Sequence, residues 1–144
     1  MKFLIEKILG YKFKKRKPKQ IVIIDDSYET AIVIQKVLER IQVDSVIFCN
    51  ERMALNYINK NRTEYSFILI LDIKLQQMNG FSIGKFLRDK YSMSLPILYI
   101  SADEKNRKKY WSIGDIVNTY FLSKPFNARE LNFVVSKLSS KLGN

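Results

Sequence analysis

Histidine is absent from this chain of 144 residues, and cysteine occurs only once, at Cys49. Without histidine the chain has no Ser–His or Cys–His catalytic pair, no histidine-ligated zinc and no phosphohistidine of its own. A single cysteine excludes an intrachain disulfide and fits a reducing, cytoplasmic setting, and we expect Cys49 to be inert packing. Acid–base or phosphate chemistry must therefore use carboxylates, lysine, hydroxyl groups or tyrosine.

Acidic residues are scarce in the first part of the chain. Residues 1–19 hold eight Lys or Arg and one Glu, so they carry +7 of the total net charge of +11. The remaining residues are only mildly basic, and their length suits one domain with an apolar core. We therefore predict a basic N-terminal arm over residues 1–19 and a folded domain over residues 20–144.

The arm lacks the features of a signal peptide, because Glu6 and Lys7 interrupt its apolar residues and no small-residue cleavage site follows. It is also too short to span a bilayer. Leu4, Ile5 and Ile8 could share one helical face with Tyr11. We favour a solvated arm or linker, and the alternative is an amphipathic basic anchor for anionic lipid, nucleic acid or a protein partner.

Beyond the arm, short apolar segments alternate with amphipathic ones. The spacing predicts strands near residues 21–24, 45–49, 65–72, 95–100 and 120–122, and helices near residues 27–41, 50–61, 80–91, 104–118 and 127–142. Residues 67–71 contain no polar side chain, which favours a central strand buried on both faces. The alternation predicts an α/β fold with a five-stranded, doubly wound parallel sheet.

Polar side chains stand where four of these strands end. Asp25 and Asp26 follow the first strand, Asp72 ends the third, Ser101 the fourth, and Lys124 comes after the fifth. Because parallel strands end at one edge of the sheet, these side chains are expected to meet there. Three carboxylates form a hard oxygen site, and such a site suits Mg²⁺.

Each of these residues also has an ordinary structural interpretation. Asp25 and Asp26 could cap a helix, Ser101 could be a turn residue, and Lys124 a surface lysine before a proline. All of these together are improbable, given the strand that precedes each residue.

A different class of protein with an Asp after a buried strand is a phosphatase of the haloacid-dehalogenase type, which uses that Asp as a nucleophile. Such an enzyme needs a second carboxylate two residues later, where this chain has Lys74.

The set of motifs resembles the receiver domain of two-component response regulators. The matching pieces are IVIIDD at residues 21–26, LD at 71–72 with MNG at 78–80, YISA at 99–102 and KPF at 124–126. The resemblance covers about residues 20–142. It implies a flavodoxin-like receiver fold in a stand-alone response regulator, similar to the chemotaxis and sporulation-relay regulators.

The resemblance also implies roles for the acidic residues. Asp72 would be the phosphoacceptor, taking a phosphoryl group from the phosphohistidine of a histidine kinase. Mg²⁺ would be held by Asp26, Asp72 and the backbone carbonyl of Lys74, with Asp25 acting mostly through water.

Further roles concern the switch. Lys124 would pair with Asp72 and then with the phosphoryl oxygens, while Ser101 would swing toward the phosphoryl group and Phe121 would turn inward. The peptide bond before Pro125 would be cis. The chain would be a phosphoacceptor signalling protein rather than an enzyme, although it could assist its own phosphorylation and dephosphorylation.

The expected partners are a histidine kinase or phosphotransfer protein and a downstream protein target. The target would contact the face near Tyr110, Trp111 and Phe121, although Tyr110 and Trp111 could instead be ordinary packing. The protein would be a monomer or a phosphorylation-dependent dimer. An alternative is a phosphorylation-independent adaptor on the receiver fold, in which the basic arm carries the function by binding membrane, nucleic acid or a partner.

One departure from the family pattern lies near the proposed site. Leu75 and Gln76 stand where many family members have Met-Pro, so we expect a less rigid loop after Asp72. Lys74 and Asp103 could pair across the site, although both could equally be solvated.

Overall fold

A computed structural model of the chain describes residues 1–10, 16–112 and 117–141, with only the backbone described for Trp111, Ser112 and Lys141. The helices in these ranges are α1 (Lys2–Leu9), α2 (Tyr28–Leu38), α3 (Glu51–Asn61), α4 (Gly80–Lys90), α5 (Glu104–Ser112) and α6 (Ala128–Lys141). The strands are β1 (Lys19–Ile24), β2 (Asp44–Phe48), β3 (Ser66–Asp72), β4 (Ile97–Ser101) and β5 (Thr119–Ser123).

The five strands form one parallel sheet in the order β2-β1-β3-β4-β5. This order is that of flavodoxin-like doubly wound folds, which confirms the predicted fold class. The central strand β3 is buried from Phe67 to Asp72, as its unbroken apolar run predicted. Asp72 therefore lies at the carboxyl edge of the sheet, beside the point where the strand order reverses between β1 and β3.

Two apolar layers cover the faces of the sheet. On one face Ile68 and Ile70 pack with buried residues of α2 and α6. On the other, Leu69 and Leu71 pack with buried residues of α3 and α4. Because successive side chains of a strand point to opposite faces, a run with no polar residue needs helices on both sides.

Polar residues cap the helices that follow the sheet edge. Ser27, Asn50 and Asn79 each accept a backbone N–H from the first turn of α2, α3 and α4. Before α6, Asn127 Oδ1 accepts the Glu130 N–H at 2.8 Å and its Nδ2 donates to the Glu130 carboxylate at 3.0 Å, so the two residues together cap the start of the helix.

Two predicted helices are shorter than expected. The helix predicted to reach Ile41 ends at Leu38 and continues as a 3-10 turn over Glu39–Ile41, which Gln42 closes with a left-handed φ of 56°. Positive φ values are uncommon outside glycine, and the spacing of apolar residues does not indicate where one occurs. Hydrophobic periodicity alone therefore did not predict this turn.

The second is the helix predicted over residues 104–118. The structure describes α5 as far as Ser112 and places Val117 in a turn before Asn118, whose φ is 52°. Residues 113–116 of that prediction lie outside the described residues. The buried Arg88 of α4 donates to the carbonyls of Leu95 and Val117 at 2.7 Å each, and the second of these hydrogen bonds holds the turn at Val117 against α4.

The first residues of the chain form α1, and none of its residues is buried. The predicted face member Tyr11 lies outside the described residues. β1 begins at Lys19, and the carbonyl of Pro18 accepts the Ser66 N–H at 2.9 Å, so sheet pairing starts at the end of the segment assigned to the arm. Within the described residues, no helix combines the length and apolarity needed to cross a bilayer.

The expectation that Cys49 packs in the interior is wrong, because its side chain is exposed. Cys49 follows Phe48, the last residue of β2, and the residue just beyond a strand end readily turns toward solvent.

Candidate functional site

The carboxyl ends of four strands bring the predicted site residues together. Asp25 follows β1, Asp72 ends β3, Ser101 ends β4, and Lys124 follows β5. One carboxylate oxygen from each of Asp25, Asp26 and Asp72 lies within 4.8 Å of the others. Residues from β1 and β3 thus meet at one point of the sheet edge.

Lys124 lies between two of the three carboxylates. Its Nζ is 3.2 Å from Asp25 Oδ2 and 3.7 Å from Asp72 Oδ1. The Lys124 side chain is 23% exposed, whereas the two carboxylates are nearly buried. One ammonium therefore faces three carboxylates, and the cluster keeps an excess of negative charge.

The two adjacent aspartates have different surroundings. Asp25 is buried, and its Oδ1 accepts the Ser27 N–H at 2.9 Å while its Oδ2 accepts the Lys124 ammonium. Asp26 is exposed on the same edge and lines an open cavity with Asp72. Both oxygens of Asp25 are thus already engaged, which leaves Asp26 the more accessible of the pair.

Asp72 is an acid with an unusual proton affinity. Burial, together with the nearby charges of Asp25 and Asp26, raises its pKa from 3.8 to about 6. Lys124 and the backbone N–H of Lys74 lower that pKa but do not cancel the rise. A deprotonated Asp72 is consequently costly unless a further cation joins the cluster.

The loop after Asp72 turns back tightly. Gly80 donates its N–H to the Ile73 carbonyl at 2.8 Å. A Cβ at Gly80 would lie 2.5 Å from the Asp72 carbonyl oxygen, so only glycine fits the start of α4 here. The same loop brings Lys74 to the wall of a cavity of about 660 Å³ that is also lined by Asp72 and Ser101.

Glu51 is a buried carboxylate in the first turn of α3 that sequence reasoning missed. One of its oxygens accepts the Gln77 N–H at 2.9 Å, and the N–H groups of Gln76 and Met78 also face the carboxylate. Although burial opposes this, these backbone N–H groups lower the pKa of Glu51. The loop that we expected to be less rigid is therefore held by a charged group, and the proline that many family members have at position 76 could not donate such a hydrogen bond.

Ser101 is buried, and its hydroxyl accepts two hydrogen bonds from the residues that follow it. The Asp103 N–H lies 3.0 Å and Asn106 Nδ2 2.9 Å from Ser101 Oγ. The hydroxyl is thus held toward the start of α5. The contribution of Asn106 was missed, although its spacing of five residues from Ser101 is visible in the sequence.

The remaining predicted residues lie around the same edge. Phe121 on β5 is half-buried, and its ring centroid lies 5.4 Å from that of Tyr110. The Lys124–Pro125 peptide bond is cis. The side chain of Trp111, predicted for the same face, lies outside the described residues.

Asp103 does not pair with Lys74. Its carboxylate accepts the Lys105 N–H at 2.9 Å at the start of α5, and the described residues contain no ion pair between the two side chains. The short Asp side chain is better placed to cap the helix that follows it.

Comparison with known proteins agrees with this arrangement. Residues 21–136 match the model of the response regulator receiver domain. The chain is 30% identical over 114 residues to the alkaline phosphatase synthesis transcriptional regulatory protein PhoP of Bacillus subtilis, covering 79% of this chain and 45% of that protein. It is 27% identical over 112 residues to the heme response regulator HssR of Staphylococcus haemolyticus, covering 78% of this chain and 47% of that protein. The chain therefore spans less than half the length of either relative.

Solved structures share the fold. The chemotaxis protein CheY4 of Vibrio cholerae superposes with a TM-score of 0.70 at 22% identity, covering 84% of this chain and 98% of that one. A two-component response regulator from Clostridium difficile gives a TM-score of 0.71 at 21% identity, covering 88% and 99%. With the family match over most of its length, the chain belongs to the receiver domains of two-component response regulators.

Proposed function

We propose that this domain is a Mg²⁺-dependent phosphoacceptor switch whose phosphorylated residue is Asp72. The observation that carries this proposal is the position of Asp72, buried at the end of β3 with two further carboxylates and the Lys124 ammonium around it. The protein would signal in the cytoplasm as a substrate of phosphotransfer rather than as an enzyme.

The acidic cluster fits Mg²⁺. Its three carboxylates present hard oxygen ligands within 4.8 Å of one another, and one ammonium leaves their charge incompletely balanced. Asp26, Asp72 and the Lys74 backbone carbonyl would hold the ion, with Asp25 acting mostly through water. When bound, Mg²⁺ supplies positive charge next to the transferring phosphoryl group.

In the transfer step, a carboxylate oxygen of Asp72 attacks the phosphorus atom of the donor. A new O–P bond forms, the P–N bond of a donor phosphohistidine breaks, and the imidazole nitrogen takes the electron pair. Lys124 Nζ, 3.7 Å from Asp72 Oδ1, is close enough to bind the phosphoryl oxygens. Because phosphoryl transfer needs mainly positioning and charge neutralisation, no general base is required of this chain.

The switch would follow from the charge that the acyl phosphate adds. Ser101 would exchange its hydrogen bonds with Asp103 and Asn106 for one to the phosphoryl oxygens, and this would draw the segment after β4 inward. Phe121, which packs on Tyr110 of α5, would then reposition. The partners would be a histidine kinase or phosphotransfer protein on the input side and a protein bound near Tyr110 and Phe121 on the output side.

Intact-mass measurement after incubation with a small acyl-phosphate donor tests the proposal. We expect one phosphoryl group to be added in the presence of Mg²⁺, little without Mg²⁺, and none in an Asp72→Ala variant. A folded wild-type protein that gains no phosphoryl group and binds no Mg²⁺ would contradict the proposal.

Replacing Glu51 with glutamine is expected to weaken Mg²⁺ binding roughly threefold to tenfold, because the loop that carries Lys74 loses a charge-assisted hydrogen bond. Calorimetric titration of Mg²⁺ measures this change. Glu29→Gln, which removes the same charge from an exposed position in the first turn of α2, is the matched control. Faster hydrogen exchange of the Gln77 amide in Glu51→Gln alone would separate lost positioning from lost charge, and equal Mg²⁺ affinities in the two variants would contradict the role of Glu51.

Replacing Asn106 with alanine is expected to raise the affinity for beryllofluoride, a phosphoryl mimic, about threefold to tenfold, because one hydrogen bond no longer holds Ser101 outward. The affinity can be measured in the presence of Mg²⁺ by fluorescence or calorimetry. In a Ser101→Ala background the same Asn106→Ala change is expected to have no effect. An equal gain in that background would show that Asn106 acts elsewhere.

A further inference from the structure

We propose that the N-terminal arm, residues 1–19, binds the surface of an anionic lipid bilayer, with α1 lying in the interface and the basic residues after it on the lipid headgroups. This proposal does not depend on phosphorylation of Asp72. It commits to a membrane among the ligands that an amphipathic basic segment could bind.

Four of the five apolar residues of α1 form one side of the helix, and the fifth, Phe3, lies outside it. At 100° per residue, Leu4, Ile5, Ile8 and Leu9 fall within one arc, while Lys2 and Lys7 lie outside it. Leu4 is 58%, Ile8 70% and Leu9 63% exposed, and the domain buries none of the α1 residues. A helix with apolar residues on one side and charged residues outside that side places the apolar side among acyl chains and the charged residues in the headgroup layer.

The sequence directly after α1 supplies the charge. Residues 12–17 read KFKKRK, and with the basic residues of α1 and Lys19 they give the arm its net charge of +7. Basic residues next to an interfacial helix are attracted to the negative potential of an anionic leaflet, at roughly a fivefold gain in affinity for each. The arm therefore has the two signals that stable surface binding needs.

The arm is attached to the edge of the domain that lies opposite to the acidic cluster. Lys17 Nζ donates to the Arg62 carbonyl at 2.9 Å, and Lys19 Nζ donates to the Ser139 carbonyl at 2.7 Å. These contacts, at the ends of α3 and α6, fix the arm to the edge of the sheet where β1 begins. Asp72 lies at the opposite edge, so a domain held to a bilayer by its arm keeps the acidic cluster away from the anionic surface.

Apolar exposure is what favours a bilayer over nucleic acid. Phosphate contacts account for the basic residues alone, since nucleic-acid backbones are bound mainly by Lys and Arg. They give no role to Leu4, Ile8 and Leu9, whereas a bilayer interface takes up basic and apolar side chains of the same segment together.

Co-sedimentation of the full chain with vesicles tests the proposal. Vesicles of phosphatidylcholine alone, vesicles with added phosphatidylglycerol and a duplex DNA are compared at one ionic strength. We expect binding to the anionic vesicles, at least about tenfold weaker binding to the neutral ones, and a similar loss on the anionic vesicles for Leu4→Ser/Ile8→Ser and for Lys14→Gln/Lys15→Gln/Arg16→Gln.

Matched variants on the domain control for exposed apolar area and for net charge. Val33→Ser/Met53→Ser removes two exposed apolar side chains, and Lys36→Gln/Lys60→Gln/Lys105→Gln removes three exposed charges, and both are expected to bind like the wild type. Absence of vesicle binding, or equal losses in the domain variants, would overturn the proposal. So would DNA binding stronger than vesicle binding that Leu4→Ser/Ile8→Ser leaves unchanged, which would identify nucleic acid as the ligand.

Discussion

Replacing Asp72 with asparagine is expected to stabilise the metal-free protein by about 3 kcal/mol at neutral pH. The carboxylate has a pKa of about 6 in the folded protein and 3.8 as a model acid, so its ionised form is disfavoured by burial and by the neighbouring carboxylates. Asparagine resembles the neutral acid and avoids this cost. The measurement is the free energy of unfolding in urea with a metal chelator present.

The pH dependence follows from the direction of that shift. Because the folded state binds a proton that the unfolded state has released, the stability contribution of Asp72 falls as the pH rises from about 4 to about 6 and is constant above. The difference between Asp72→Asn and the wild type should therefore be small at pH 4 and complete by pH 7. An Asp44→Asn variant, which alters an exposed carboxyl at the start of β2, is the control.

In the presence of Mg²⁺, the wild type is expected to become more stable relative to the Asp72→Asn variant. Binding to the three carboxylates stabilises the folded wild type by mass action, whereas the variant has lost one ligand. A variant that is less stable than the wild type at every pH without metal would contradict the electrostatic description of the cluster.

Replacing Lys124 with methionine is expected to act in the opposite direction, destabilising the metal-free protein by about 2 kcal/mol at neutral pH. Removing one partner of a buried ion pair typically costs about 3–5 kcal/mol, and the 23% exposure of the Lys124 side chain reduces that figure. Without its ammonium, the carboxylates of Asp25 and Asp72 face each other with no positive charge between them.

The stability that Lys124→Met removes should be restored in two ways. Saturating Mg²⁺ supplies positive charge to the carboxylates, and a second change, Asp72→Asn, removes one of them. The double-mutant cycle in urea is therefore expected to show that Lys124→Met costs less in the Asp72→Asn background. Lys60→Met, at an exposed position, is the control, and strict additivity of the two substitutions would contradict a coupled cluster.

The fold and most of the site could be predicted because they depend on local patterns. Unbroken apolar runs identified the buried strands, and parallel strands bring their ends to one edge, so Asp25, Asp72 and Lys124 had to meet there. The predicted helix ends at Ile41 and Asn118 were wrong, because left-handed residues and contacts from Arg88 decide the turns there.

The role of Glu51 could not be predicted from local sequence patterns. In the sequence it is an acidic residue in a first helical turn, a position that a helix dipole alone explains. Its hydrogen bond to Gln77 spans 26 residues and exists only because α3 and the loop after β3 lie side by side. Asn106 is similar, since its amide reaches Ser101 only when the chain turns after β4.

The most direct test of the account is to locate the phosphoryl group. The protein is phosphorylated with a small acyl-phosphate donor and Mg²⁺, the acyl phosphate is reduced with borohydride, and the modified residue is identified by peptide mass spectrometry. We expect a single modified residue, Asp72, at the end of β3. Modification of Asp25, Asp26 or Asp103 instead, with Asp72 unmodified, would contradict it.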